Sequence, residues 1–291
     1  MRVAVMGTGL LGGPIAERFK ATGHQVVVYN RTRARAEPLR ELGIQVALQP
    51  KEAVRAAECI VLVLADAAAI RSVLSADPVR KELAGRTVIQ MGTIGPSESQ
   101  TLKEEVCAIG GDYLEAPVLG SIAEAKAGTL QVMVGGSQEQ FVRWADLFRS
   151  LSREPRLIGP VGKAAALKLA LNQLIAAQIA AFALSLGFVQ RQGIDVETFM
   201  AILRESALFA PTYDKKLPRL LHREYANPNF STRHLLKDVE LFLGEAKGCR
   251  LNTGNLDGIR SLLQKTVGLG LAEADYSAVY EAVNPAQGNG A

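Results

Sequence analysis

Near the start of the chain, Gly7-Thr8-Gly9-Leu10-Leu11-Gly12 sets glycines at the spacing that lets a backbone turn hold a pyrophosphate. Gly7 allows the tight turn, Gly9 removes the Cβ that would stand between backbone and phosphate, and Gly12 permits close packing of helix on strand. The turn follows the apolar run Val3-Ala4-Val5-Met6 and leads into a helical pattern through Ile15, Ala16 and Phe19. The amino end of that helix would offer free N–H groups and positive dipole to the anion. At the position where NAD binding asks for a carboxylate facing the ribose 2′-hydroxyl, the chain instead reads Asn30-Arg31-Thr32, with Arg33 and Arg35 next. The planar guanidinium of Arg31 can pair with a 2′-phosphate and stack on adenine, which favours NADP with NAD as the lesser choice. The competing reading is that these arginines only solvate a helix start.

Such a turn needs strands and helices in alternation to support it. Short β-branched runs predict strands at 2–5, 25–29, 59–64, 87–90, 112–114 and 131–135, with helices at 12–21, 33–42, 51–56, 70–73, 97–109 and 137–151. This alternation builds a parallel sheet covered by helices. Beyond Gly162 the β-branched runs stop, and apolar residues recur at three- and four-residue intervals through Leu167, Leu171, Leu174, Ile175 and Ile179, so the remainder reads as helix. The stretch 164–189 is apolar, but Lys168, Asn172, Gln173 and Gln178 interrupt it where bilayer insertion is costly. A long helix buried between protein surfaces is the expectation. Pro211, Pro218 and Pro228 divide the helical part, and the tail 284–291 is expected to fray.

The 291 residues exceed the usual domain size of roughly 100–200, which calls for one large or two moderate domains. A composition of 48% hydrophobic and 21% charged residues excludes disordered, collagen-like and coiled-coil classes. Cys59, Cys107 and Cys249 show no paired or metal-ligand spacing, and with three histidines no metal site is expected. The net charge of +4 is spread along the chain without a basic tract, so neither a nucleic-acid partner nor a membrane is expected. No secretory signal pattern follows Met1-Arg2, and the expected address is cytoplasmic.

Four segments together carry a resemblance to the β-hydroxyacid dehydrogenase family (3-hydroxyisobutyrate dehydrogenase-like). They are the amino-terminal glycine turn; Glu115-Ala116-Pro117-Val118-Leu119-Gly120-Ser121 followed by Ala127-Gly128-Thr129-Leu130; Gly159-Pro160-Val161-Gly162 running into Lys168 and Asn172; and Lys237-Asp238. The resemblance covers nearly the whole chain and is nearest to the glyoxylate/succinic semialdehyde reductase branch, to which Ala274-Asp275-Tyr276-Ser277-Ala278-Val279 is also similar. It implies an α/β fold in which a Rossmann-type doubly wound sheet over 1–160 precedes an all-α substrate and dimerisation domain over 161–291, joined by a long helix at 161–190. The active site is then expected in the cleft between the domains.

The activity implied is reduction of a small aldehyde or keto acid by NADPH, with Lys168 as catalytic acid. Local chemistry agrees, because a cationic ammonium stabilises and then protonates the oxygen that gains charge during hydride delivery. Asn172 lies four residues on, on the same helical face, to hold Lys168 or the substrate oxygen. Without the resemblance, a lysine in an apolar helix reads more simply as snorkelling or paired. The resemblance further implies that Lys237 reaches the cofactor, that Asp238 positions Lys168 or lines the pocket, and that Phe230 forms a wall. It also places Thr93 on the nicotinamide side and the Leu64-Ala65 loop along the cofactor.

Two positions depart from the family pattern. Leu119 stands where a serine usually holds the substrate carboxylate, leaving Gly120, Ser121 and Arg233 to supply donors or else marking a less polar aldehyde, ketone or imine. Gly92 also replaces a serine, near the nicotinamide. The alternatives are therefore a 3-hydroxyacid dehydrogenase working in the oxidative direction, an imine reductase of the same fold, or a non-catalytic cofactor-binding scaffold. The apolar helical half predicts a homodimer or homotetramer.

Overall fold

Val3 and Val5 face one apolar layer and Ala4 and Met6 another, and all four are fully buried, so the first strand needs cover on both sides. The structure, a computed structural model, describes residues 1–286; the part of the expected frayed tail from residue 287 onward lies outside the described residues. Its strands are β1 (Arg2–Met6), β2 (Gln25–Tyr29), β3 (Gln45–Val46), β4 (Cys59–Leu62), β5 (Thr87–Gln90), β6 (Asp112–Glu115), β7 (Val118–Leu119), β8 (Gln131–Gly135) and β9 (Arg156–Gly159). In chain order, the helices α1 to α8 are Gly12–Ala21, Pro50–Ala56, Ala67–Leu74, Asp77–Arg80, Pro96–Cys107, Ile122–Ala127, Gln138–Arg143 and Ala145–Leu151. The helices α9 to α14 are Lys163–Arg191, Val196–Glu205, Pro211–His222, Thr232–Gly248, Gly254–Thr266 and Val279–Val283.

The strands form one sheet in the order β3-β2-β1-β4-β5-β6-β8-β7, with β9 added alongside β8. The first six strands in this order run parallel, β8 is antiparallel to both β6 and β7, and β9 is parallel to β8. The order reverses beside β1, which is the switch point at which doubly wound sheets bind ligands beyond the carboxyl ends of their strands.

The chain divides into two compact units, Met1–Leu169 and the residues from Ala170 on. The division falls within α9, whose opening turn is hydrogen-bonded to Glu115 of β6. Residues 33–42 form two 3₁₀ segments, Arg33–Arg35 and Glu37–Leu42, and not the expected helix. Pro38 removes a backbone donor that a helix through this stretch would require. The helix expected at 70–73 begins earlier, at Ala67, because the Asp66 carboxylate accepts from the Ala69 N–H at 2.7 Å.

In the second unit α9 supplies Ala176, Ile179, Phe182, Ala183 and Leu186 to a core shared with Leu217, Leu220, Leu235, Val239, Leu243, Leu263 and Tyr280. Among the described residues α9 is the helix long and apolar enough by length and composition to cross a membrane, and these buried side chains account for part of that apolarity as packing. A buried ion pair also ties this unit together. Lys216 Nζ lies 2.8 Å from both carboxylate oxygens of Asp275 and 4.2 Å from the centre of the Tyr276 ring. Asp275 Oδ1 further accepts from the Ser277 N–H and hydroxyl. Burial pushes the Lys216 ammonium below its usual range, while Asp275 opposes that shift.

Removing one member strands the other charge in the core, so Lys216→Met should destabilise the protein by about 3–5 kcal/mol. The double variant Lys216→Met/Asp275→Leu should recover much of that loss, as read by urea unfolding followed by circular dichroism.

Candidate cofactor and catalytic site

The glycine turn sits at the switch point, on the carboxyl end of β1. Its backbone is clasped by both neighbouring strands: the Gly7 N–H donates to the Tyr29 carbonyl and the Val63 N–H to the Met6 carbonyl, each at 2.8 Å. A Cβ on Gly12 would collide with the Gly7 carbonyl oxygen, and one on Gly7, whose φ is +94°, with the Val63 carbonyl oxygen. Gly9, by contrast, faces open space. Leu11 starts α1 without a side-chain cap, and the first turn of the helix contains no acidic residue. Leu10 is exposed, while Thr8 is buried with a hydroxyl that has no hydrogen-bond partner. A cradle closed to side chains behind and open in front, at a helix start without a side-chain cap, suits a pyrophosphate.

At the end of β2, the Asn30 side chain accepts from the Thr8 N–H at 3.0 Å and donates to the Thr32 carbonyl at 2.8 Å, locking this loop to the glycine turn. The arginines that follow differ in employment. Arg33 is held by Glu37, which also pairs with Arg40 at 2.7 Å. Arg31 and Arg35 are exposed, and neither guanidinium has a hydrogen-bond or ion-pair partner among the described residues.

Leu64 and Ala65 continue β4 on the same edge, and Thr93 follows β5 there, half-buried. Gly92 now has a steric reason. The Leu64 carbonyl oxygen lies where its Cβ would stand, so the loops after β4 and β5 approach more closely than a serine allows. The buried Gln90 side chain clamps this turn, accepting from the Gly92 N–H and donating to the Gly92 carbonyl at 2.9 Å.

In the segment that follows, Leu119 is half-buried and Gly120 holds φ at +135°, a conformation that side chains disfavour. Ser121 is otherwise engaged than the resemblance implies. It caps α6, and both its N–H, at 2.8 Å, and its hydroxyl donate to the Glu124 carboxylate. Lys168 lies on α9 with 9% of its surface exposed.

Asn172 is one turn further along α9 and is buried at 3%. Its amide donates to Asp238 Oδ2 at 2.6 Å, which orients the group and leaves Asn172 Oδ1 buried without a partner. Lys237 pairs with the other Asp238 oxygen at 2.9 Å. Phe230 packs edge-on against Tyr276, with ring centres 5.8 Å apart, at the margin of the helical core. Arg233 is exposed and ion-paired with Glu273.

Sequence reasoning assigned no role to Glu115, whose buried carboxylate accepts three backbone N–H groups of the α9 start. Desolvation pushes its carboxyl above the usual range, and the Ser99 hydroxyl and these N–H groups pull it back. The available signal was an acid at the carboxyl end of the strand, after apolar Leu114, in Asp112-Tyr113-Leu114-Glu115.

Two family models cover the chain. One, described as the NAD binding domain of 6-phosphogluconate dehydrogenase, matches residues 2–161, and the other, described as NAD-binding of NADP-dependent 3-hydroxyisobutyrate dehydrogenase, matches 162–283. The chain belongs to the β-hydroxyacid dehydrogenase family. Among relatives of this family, glyoxylate/succinic semialdehyde reductase 2 of Arabidopsis thaliana is 27% identical, over 98% of this chain and 80% of its own length. The 2-hydroxy-3-oxopropionate reductase of Escherichia coli is 29% identical over 97% of each chain. In solved structures, a 3-hydroxyisobutyrate dehydrogenase from Salmonella typhimurium superposes with a TM-score of 0.88 at 22% identity, covering 97% of this chain and 99% of its own. The protein is thus a β-hydroxyacid dehydrogenase-like, NAD(P)-dependent oxidoreductase. The cradle at β1 and α1 fits the dinucleotide this family takes: Gly7, Gly9 and Gly12 leave room for the pyrophosphate, and Asn30 fixes the loop beside it.

Proposed function

We propose that this chain is an NADPH-dependent reductase of small aldehydes or keto acids, succinic semialdehyde and glyoxylate first among them, with Lys168 as general acid. Asn172 carries most of the weight. A buried amide anchored by Asp238 at 2.6 Å, with its carbonyl oxygen unpartnered, sits one helical turn from a buried lysine. An orphaned buried acceptor is costly in the free protein, and a substrate hydroxyl would satisfy it.

When bound, the cofactor supplies a hydride to the carbonyl carbon. Lys168 stabilises the charge developing on the carbonyl oxygen and transfers its proton there. Asn172 holds the resulting hydroxyl through Oδ1, and Asp238 keeps the amide from turning over. In the oxidative direction the same groups run in reverse, with Lys168 as base.

Arg31 and Arg35 support NADPH over NADH, since both are exposed and without partners at the end of β2, where a carboxylate would repel a 2′-phosphate. A second substrate reading rests on Ser121. With Leu119 unable to donate and both Ser121 donors committed to Glu124, the segment suits an uncharged aldehyde, ketone or imine better than a carboxylate-bearing substrate. The exposed apolar residues Leu184 and Phe188, one turn apart on α9, and Ile202 on α10 support a homodimer or homotetramer.

Purified protein should oxidise NADPH in the presence of succinic semialdehyde or glyoxylate, and Lys168→Ala should lose about 10²–10⁴-fold in kcat with cofactor affinity retained. Turnover confined to uncharged aldehydes or a cyclic imine would favour the second reading, and wild-type turnover by Lys168→Ala would remove Lys168 from the chemistry. The double variant Arg31→Ala/Arg35→Ala should raise the KM for NADPH by about 10–100-fold and leave that for NADH nearly unchanged. Light scattering at micromolar concentration should give a mass of two or four chains; a monomer would overturn the assembly.

A further inference from the structure

Glu115 closes β6 with its side chain enclosed at 1% exposure, where a carboxylate is sustained only if its lone pairs are occupied. Oε1 accepts from the backbone N–H groups of Gly162 at 2.8 Å, Ala164 at 2.9 Å and Ala165 at 3.0 Å. Oε2 accepts from the Ser99 hydroxyl, which lies 2.9 Å from the Tyr113 hydroxyl. The three N–H groups are opening-turn donors that a helix leaves unsatisfied. Gly135, opposite Glu115 across the β6–β8 pairing, has no room for a Cβ because the carboxylate occupies that space.

A local Ser or Asp cap would satisfy donors at Ala164 or Ala165 and leave the helix free to rotate about its axis. A carboxylate rooted in the sheet, 47 to 50 residues away in sequence, ties the rotation of the first turn to β6. Lys168 follows Ala165 by three residues, within one turn, so the direction of its side chain is set with that turn. We infer that Glu115 is the positioning residue for Lys168, an inference that rests on the reading of Lys168 as proton donor. Ser99 and Tyr113 hold the carboxylate, the carboxylate holds the turn, and the turn aims the ammonium.

The test compares Glu115→Ala, Glu115→Asp and Glu115→Gln with the wild-type chain and with Lys168→Ala, using the carbonyl substrate that the wild type turns over best. In Glu115→Gln the amide oxygen still accepts from the three N–H groups, and the Ser99 hydroxyl can reverse to accept from the amide. Its kcat should stay within roughly tenfold of wild type. Glu115→Ala should lose about 100-fold in kcat, the cost of a displacement of about 1 Å, with the KM for NADPH unchanged and a solvent deuterium isotope effect emerging as proton transfer becomes limiting. In the free protein, amide hydrogen exchange over 162–168 should accelerate in Glu115→Ala and not in Glu115→Gln. Should Glu115→Ala fail to fold, Glu115→Asp carries the test, its withdrawn carboxylate lowering kcat and loosening the same amides. A variant that melts earlier but keeps wild-type kcat and exchange over 162–168 would overturn the inference. Wild-type turnover by Lys168→Ala would instead overturn the proton-donor reading on which it rests, so the two failures are told apart.

Discussion

The approach of the first helix to the first strand admits no side chain, and the cofactor-binding half of the protein depends on that contact. The Gly12 α-carbon packs on the Gly7 carbonyl, and Gly7 packs on the backbone after β4, so a methyl group at either position would push α1 away from the sheet. Because the strand order reverses beside β1, the carboxyl ends of β1, β2 and β4 are brought together there, each hydrogen-bonded to the next through the Gly7 and Val63 N–H groups. Asn30, Leu64 and Thr93 then reach one edge because the loops bearing them leave neighbouring strands in the same direction. The apolar layers on the two faces of the sheet keep those strands in register, each fully buried aliphatic side chain adding about 1.5–3 kcal/mol. The edge itself is left polar and incompletely satisfied, as the Thr8 hydroxyl illustrates.

The long helix α9 carries a second set of constraints. Its opening turn belongs to the sheet unit through Glu115, and its later turns present Ile179, Phe182 and Leu186 to the helical core. Between these stretches lie Lys168 and Asn172, two buried polar residues in an otherwise apolar helix, whose desolvation costs stability. Such local conflict between stability and sequence is what a functional site is expected to show. Asp238 offsets part of the cost by fixing the Asn172 amide, and it does so from another helix, so mutual orientation here is set by tertiary structure.

Legibility in the sequence followed the range of the interaction concerned. The strands at Arg2–Met6, Gln25–Tyr29 and Gln131–Gly135 could be read because β-branched runs bounded by turn residues are local signals. The two-residue strands Gln45–Val46 and Val118–Leu119 could not, since so short a stretch has no alternation to detect. The glycine turn was legible because its chemistry is compressed into adjacent residues. Pro38 is a local signal too, and its missing N–H outweighs the helical periodicity of 33–42. Glu115 with the α9 amides and Lys216 with Asp275 join residues some fifty to sixty positions apart, and no periodicity in either segment announces the partner.

Under the proposed function, the segment after β6 bears most directly on which substrate is accepted. A serine at position 119 would offer a hydroxyl to a carboxylate, whereas Leu119 offers only apolar surface and is itself half-buried. Ser121 does not compensate, because its N–H and hydroxyl both end on Glu124, forming the cap that starts α6. A substrate carboxylate recruiting Ser121 would have to displace one negative charge with another and undo the cap, losing about 1 kcal/mol of helix stability. Recognition of an anion at this segment would therefore fall to backbone N–H groups near Gly120, whose left-handed conformation already turns the chain sharply there. With an apolar group at one position and the next hydroxyl tied up, neither side chain of this segment has a donor to spare. Under the proposed function, Lys168 and Asn172 on α9 do not distinguish among such substrates, since a developing oxyanion makes the same demand in an aldehyde, a ketone or a keto acid.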